Sequence, residues 1–382
     1  MSHDRRHSGH AQVTVARAIQ AILIGSPYVS TFFGAARWRL LLLLPTPIVG
    51  LFAVVATLGW GLSAPGYSGP TSSHFDGTQF ANTEQTPLPG PLKGIQMMTT
   101  ETRLAWEHRQ VASQPAPPER VFGEDLQVTF INHATVLIQT AGLNILTDPI
   151  WSERCSASQW VGPRRFHDPP FPLDELPPID IVLISHNHYD HLDINTLQWL
   201  AEHHNPKVYA GLGNGAVLRP LGLDTFELDW GQRVEHGAVT LTGTETRHFS
   251  SRGAFDQMRT LWLGFAIETP GGAIYFGGDT GYGKHFTETG RTHGPFRLAL
   301  LPIGAYAPKW FMGPIHQDPA EAVQAHLDLR AQTSVGIHFG TFQLTFEGQD
   351  EPVRALAAAR DEAGLPPEAF RALLPGEGFA VP

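Results

Sequence analysis

Residues 40–62 are 23 consecutive positions without a charged side chain, with an all-Leu stretch at 40–44 and a second apolar run at 51–58. At about 1.5 Å per residue this run spans a bilayer core with some tilt. Pro45 and Pro47 would be misfits in a soluble helix but are tolerated near the end of a membrane helix, so the pattern predicts an N-terminal transmembrane helix at 40–62, preceded by a basic segment at 1–39. The stretch 63–91 is rich in Gly, Ser, Thr and Pro and reads as an extended linker. With the following residues it makes a region, 63–120, expected to pack on a large domain at 121–382. In that domain the apolar positions fall into short β-prone runs: an alternating stretch over 126–139, a further run past Gly142, then 179–184, 239–243, 273–276 and 334–337. Fewer stretches follow a helical period. One starts at Asp193. A second opens at Asp318-Pro319, with Asp as N-cap and Pro in the first position, and places Ala322, Val323, His326 and Leu327 on one packing face up to about Arg330. Residues 351–363 read as a helix stopped by Gly364, and 95–113 as a short helix ended by Pro115-Ala-Pro-Pro. Strands with helices outside them make the fold class α/β.

The candidate chemistry is concentrated at the ends of these runs. The string Ile-Ser-His-Asn-His-Tyr-Asp-His-Leu-Asp at 184–193 sets His186, His188, Asp190 and His191 within six positions, directly after an apolar run. Alternation along an extended backbone sends His186 and His188 to one face, and Asp190 and His191 follow where the chain turns toward a helix. Neutral imidazole and carboxylate suit zinc, and two ions about 3.5–4 Å apart are a known device for hydrolysis. His248, Asp279 and His338 each stand alone at the end of a β-prone run, bounded by glycine or serine. A single His or Asp there is most often a loop residue or a cap; three of them downstream of the His cluster form a pattern that points to one site.

These residues carry a resemblance. The order His-x-His-x-Asp-His, then a distant His, Asp and His, resembles the metallo-β-lactamase signature. Longer strings narrow the likeness to the N-acylphosphatidylethanolamine phospholipase D family: His133-Ala-Thr-Val-Leu-Ile, Leu143-Asn-Ile-Leu-Thr-Asp-Pro-Ile, Ser158-Gln-Trp-Val-Gly-Pro, Leu176-Pro-Pro-Ile-Asp, Tyr306-Ala-Pro-Lys-Trp-Phe-Met, Asp318-Pro-Ala-Glu-Ala-Val and Ile337-His-Phe-Gly-Thr-Phe. The resemblance covers roughly 74–350. It implies an αβ/βα four-layer sandwich and two zinc ions. His186, His188 and His248 would hold one, Asp190, His191 and His338 the other, and Asp279 would bridge them. A bridging water would attack phosphorus in a glycerophospholipid and release an N-acylethanolamine. Tyr189 and His316 match family positions that contact the substrate phosphate; residue chemistry alone leaves them equally as a packed aromatic and a loop histidine. Asp148 fits a hydrogen-bond partner for a metal-bound histidine, or an Asx turn before Pro149. Relatives carry Trp and Gly before the His-Ala-Thr string, where this chain has Phe130-Ile-Asn. The resemblance also implies a homodimer. Two other readings stay open: a dizinc lactonase or ester hydrolase, and a membrane-tethered metal-binding protein without catalysis.

Charge removes one class of substrate. The chain has 26 basic and 36 acidic residues, but 1–39 holds five Arg and a single acid, Asp4, which leaves 21 basic against 35 acidic for the remainder. An acidic domain without a basic stripe excludes nucleic acid as the expected partner and leaves a phospholipid and a membrane. Arg37 and Arg39 precede the apolar run and the next base is Lys93, so the positive-inside rule puts the amino terminus in the cytoplasm and the domain on the periplasmic side of a single-pass protein. If 18–36 also spanned, the domain would face the cytoplasm. The lone Cys155 excludes an internal disulfide and reads as incidental in a polar loop. Trp160, Phe166 and Phe171, beside or within the Pro-rich loop 163–178, are candidates for touching lipid or for the base of a lid.

Overall fold

Where the strand ends lie decides where the chemistry can be. The structure, a computed structural model, describes Thr57 and residues 59–86, 90–112 and 114–382. The basic segment 1–39 and most of the apolar run 40–62, where the transmembrane helix is expected, lie outside the described residues. Among the described residues no helix is long and apolar enough to cross a membrane. The chain divides into two units, Met1–Leu62 and Ser63–Pro382, and the second holds the α/β domain.

Two seven-stranded sheets form that domain. In the first, β1 (Leu126–Asn132), β2 (Thr135–Thr140) and β3 (Leu143–Thr147) make an antiparallel meander, and β4 (Ile181–Ile184), β5 (Lys207–Gly211) and β6 (Asp224–Leu228) continue it in parallel. In the second, β7 (Arg233–His236), β8 (Val239–Thr244), β9 (Gly264–Thr269) and β10 (Gly272–Phe276) are antiparallel, and β11 (Phe296–Pro302), β12 (Thr333–Ile337) and β13 (Phe370–Arg371) run parallel to β10. The last strand, β14 (Gly378–Ala380), returns to pair with β1.

Alternation of side chains builds the layers. In β4, Ile181 and Leu183 enter the core between the sheets, with Val136, Ile138, Leu241, Phe265 and Ile267. Val182 and Ile184 point the other way and join Leu197 and Leu200, which belong to a helix at Ile194–His203. In β11, Leu298 and Leu300 face the central core, while Ala299 and Leu301 pack with Phe286, Ala322 and Val323 from the outer helices Lys284–His293 and Pro319–Asp328. Strands covered on both faces read as unbroken apolar runs, as Ile181–Ile184 does. The result is the expected αβ/βα arrangement of two sheets between helices.

The helix starts follow their caps. Asp193 accepts from Asn195 N, and Asp318 forms a complete capping box with Glu321 ahead of Pro319. Glu351–Glu362 is helical, with Gly364 beyond it at φ +67°. Three expectations change. The helix expected over 95–113 is Pro91–Thr100. Beyond it the chain is held by distant partners: Trp106 Nε1 donates to Glu347 O, Arg109 pairs with Asp350 at 2.6 Å, and Arg109 N donates to Phe166 O. Leu327, expected on the packing face of its helix, is 44% exposed, whereas Ala322, Val323 and His326 are buried. The alternating stretch 126–139 is two strands joined at His133, which takes φ +47°. No Gly or Asn-Gly marks that turn, so alternation alone runs straight through it.

Of the aromatic trio, Phe171 is buried among the helix-side apolar residues and Phe166 stacks edge-on against Trp106, while Trp160 is 90% exposed. Cys155, read as incidental in a polar loop, is buried with Ile150 and Phe342, and burial pushes its thiol pKa up.

Gly278, just past β10, shows how closely the two sheets' loops meet. It sits at φ +55°, and a Cβ there would stand 2.5 Å from Ser185 Cβ. Gly278→Ala combines left-handed strain with a clash against the segment that carries His186. It is expected to destabilise the protein by about 2 kcal/mol or more, read as a lowered thermal unfolding midpoint.

Candidate metal centre

Five strands deliver their ends to one edge. β3 and β4 run parallel and lead to Asp148 and to 185–191. In the second sheet β8, β10 and β12 point the same way and lead to His248, Asp279 and His338. All seven expected ligands meet there, and only His188 among them is more than marginally accessible.

The first group is His186, His188 and His248. His188 Nδ1 lies 2.8 Å from His186 Nε2 and 3.2 Å from His248 Nε2. Three ring nitrogens facing one another at this spacing stand as ligands do around an ion at about 2.0–2.1 Å. Their outer nitrogens fix the tautomers. His248 Nδ1–H donates to Ile315 O at 3.1 Å, and His186 Nδ1–H to Ser185 Oγ at 2.9 Å. That leaves both Nε2 lone pairs inward. Burial is the main cause that lowers the pKa values of all three, to about 3 for His188 and about 4 for His248, so the rings are neutral, the form a cation needs.

In the second group, Asp190 Oδ2 lies 3.3 Å from both His191 Nε2 and His338 Nε2. Asp279 Oδ2 completes the assembly, 3.1 Å from His191 Nε2 and from His338 Nε2, and 3.9 Å and 3.7 Å from His186 Nε2 and His248 Nε2. One carboxylate oxygen therefore faces both histidine groups. His191 Nε2 approaches these oxygens off the line of a hydrogen bond, and Asp279 Oδ1 is buried with no partner. Buried polar atoms without partners are rare; here they are donor atoms of a cation site, and the residues fit a metal.

Burial alone would lower the pKa of His191, but Asp279, Asp190 and Asp148 raise it overall; His338 is carried to about 9, against burial, mainly by Asp279 and Asp190. The same contacts hold Asp190 and Asp279 well below the usual carboxylate range although burial opposes it. A cation that binds here displaces protons from His191 and His338.

Asp148 is a hydrogen-bond hub. It accepts from His191 Nδ1–H at 2.7 Å, Ser185 Oγ at 2.6 Å and Ser185 N at 2.7 Å. It thereby orients His191 and, through Ser185, His186. The site opens at His188 and Tyr189, both half-buried. Tyr189 packs on the Ile150–Cys155–Phe342 cluster, and its ring lies over the Arg252 guanidinium, 4.1 Å from Cζ to centroid. His316 is no solvent-facing loop histidine: it is buried, its Nε2 is 3.9 Å from Asp279 Oδ2, and its Nδ1 has no partner.

Two residues join the site that sequence reasoning did not assign. Arg252 Nη1 donates to Asn187 O and Leu192 O and so fastens the ligand-bearing segment from outside. His133 Nε2 lies 2.9 Å from Asp190 Oδ2. Arg252 has no sequence signal; His133 stands in the His-Ala-Thr string but without spacing that ties it to the cluster.

A family model described as a beta-lactamase superfamily domain matches residues 143–339, and N-acyl-phosphatidylethanolamine-hydrolyzing phospholipase D 1 of Caenorhabditis elegans is 35% identical over 66% of this chain and 78% of its own length. The chain belongs to that superfamily and, within it, to the N-acylphosphatidylethanolamine phospholipase D family. It is a metal-dependent hydrolase. An uncharacterized protein of Mycobacterium tuberculosis is 45% identical over 68% of this chain and 73% of that protein. Among solved structures, Igni18, a metallo hydrolase of Ignicoccus hospitalis, superposes with a TM-score of 0.52 at 22% identity, over 67% of this chain and 98% of that one, a likeness of fold alone.

Two outcomes are expected. Metal affinity rises with pH as His191 and His338 give up their protons, His338 near about 9, and falls about tenfold per displaced proton for each pH unit below that; titration calorimetry in buffers of different ionisation enthalpy measures the protons released. Asp279→Asn loses at least one ion and most activity, checked by elemental analysis of the purified variant.

Proposed function

We propose that this hydrolase is a dizinc phosphodiesterase of phospholipase D type, acting on N-acylphosphatidylethanolamine or a related glycerophospholipid to give an N-acylethanolamine and a phosphatidic acid. The observation that carries the reading is Asp279 Oδ2, placed between two histidine groups that each complete an ion's donor set. The worm relative's name, with the identity shared along most of its length, supports the choice of substrate.

When bound, the two zinc ions supply Lewis acidity toward the phosphoryl oxygens and an activated water. The chain's own groups do the rest. His186, His188 and His248 would hold one ion and Asp190, His191 and His338 the other, with Asp279 lying between the two groups. His316, neutral and buried beside Asp279, can donate an N–H to a non-bridging phosphate oxygen. Tyr189, at the mouth and steadied by Arg252, is positioned against the phosphate from the solvent side. Water adds to phosphorus as the bond to the ethanolamine oxygen breaks, and the departing alcohol takes up a proton. With an acidic domain, attraction of an anionic headgroup falls to the ions themselves.

In this reading the protein is bound to the cell membrane through 40–62, with the domain on the periplasmic side. Trp160, 90% exposed in the loop whose Cys155 packs with Tyr189, is a side chain available to lipid.

The test is metal content of the full-length protein purified in detergent, alongside release of N-acylethanolamine from N-acylphosphatidylethanolamine. Two zincs per chain and chelator-sensitive product are expected. Two zincs without product would overturn the substrate assignment in favour of carbonyl esters or lactones, and fewer than two would overturn the dizinc centre. His316→Ala should keep both zincs while lowering kcat or raising KM; loss of zinc would make His316 a ligand.

A further inference from the structure

His133 occupies a position that the local fold does not ask for. It forms the β1–β2 turn at φ +47°, a left-handed conformation that Gly or Asn adopts far more easily. The residue is nevertheless fully enclosed, 1% exposed, and held by both its backbone groups: its N–H donates to Thr341 Oγ1 at 2.9 Å, and its carbonyl accepts from the His338 N–H at 2.7 Å. Its ring centroid is 4.0 Å from that of His338, and its Nδ1 is buried without a partner. The ring's one hydrogen bond is the 2.9 Å contact from Nε2 to Asp190 Oδ2.

That oxygen is also the atom that faces His191 and His338 at 3.3 Å. A carboxylate oxygen has two lone-pair directions. An N–H on one of them fixes the carboxylate's rotation and leaves the other for a cation. The carbonyl-to-amide bond meanwhile pins the left-handed backbone of His338, φ +63°. One turn in the first sheet thus reaches two donor residues, one of them carried by the second sheet.

We propose that His133 is a positioning residue of the metal centre, donating Nε2–H to Asp190 and clamping His338, so that it sets the affinity of the ion these two residues hold. We assign it as a hydrogen-bond donor and not a ligand: its Nε2 lies 2.9 Å from Asp190 Oδ2, a hydrogen-bond distance, whereas His191 Nε2 and His338 Nε2 stand back from that oxygen at 3.3 Å. The inference rests on the two-ion reading above but not on the substrate.

Two variants separate donor from turn. His133→Gly suits the left-handed backbone and removes the ring; His133→Gln keeps an amide N–H at about the reach of Nε2. Both are made in the full-length protein and read by zinc competition against a chromophoric chelator and by the visible spectrum of the cobalt-substituted protein. The Gly variant should fold with an unchanged unfolding midpoint or better, bind one of its two ions 10–100-fold more weakly, and hold the other as wild type does. The Gln variant should recover most of that loss, and the cobalt band pattern of both loaded variants should match wild type. Unchanged affinity in the Gly variant overturns the proposal. So does a changed cobalt band pattern that Gln fails to restore, which would make His133 a ligand. Wild-type protein that binds fewer than two ions overturns the dizinc reading instead.

Discussion

Three carboxylates, Asp148, Asp190 and Asp279, lie almost fully buried among His133, His186, His191, His248, His316 and His338. Charge in such surroundings is tolerated only when paired and hydrogen-bonded, and the rest of the structure serves that condition. Asp279 Oδ2 is the point of closest convergence, within 3.9 Å of a nitrogen of five different histidines. In the metal-free protein the balance is kept by protons on His191 and His338; with cations present the same donor atoms are satisfied without them.

That convergence needs two sheets. Asp148 and residues 185–191 come from the first, His248, Asp279 and His338 from the second, and the close approach at Gly278 and Ser185 lets the loops interlock. Between the sheets, the apolar core fixes their separation; on the outer faces, helices bury the remaining strand side chains. Several residues that carry the site, His133, Asp148 and His338, have left-handed backbones although none is glycine. Such conformations persist only where surrounding contacts over-determine them, and here those contacts are hydrogen bonds made by the site itself.

Much of this was legible. The unbroken apolar run marked β4, because a strand buried on both faces need not alternate, while β8, β10 and β12 showed as short β-prone stretches, and the polar residues closing these runs were ligand candidates because they ended β-prone stretches. Asp193 and Asp318 announced their helices through local capping. The signals that failed were those in which distant contacts outweigh local preference. The segment after Thr100 is drawn out by Glu347, Asp350 and Phe166, and the left-handed position of the β1–β2 turn is taken by His133, whose ring is held by Asp190, rather than by a glycine.

What the sequence determined alone was the inventory and its order: which residues can bind a cation, that they follow strands, that an uncharged run of bilayer length precedes the domain, and that the domain is acidic. These are properties of composition and of one-dimensional period. Only the tertiary structure decided that Asp279 stands between the two histidine groups, that Asp148 bonds His191 rather than closing an Asx turn, that His316 is enclosed with the ligands, and that Arg252 and His133 belong to the site. Each of those depends on a contact between residues far apart in the chain, often on different sheets, and no spacing along a sequence records such a distance.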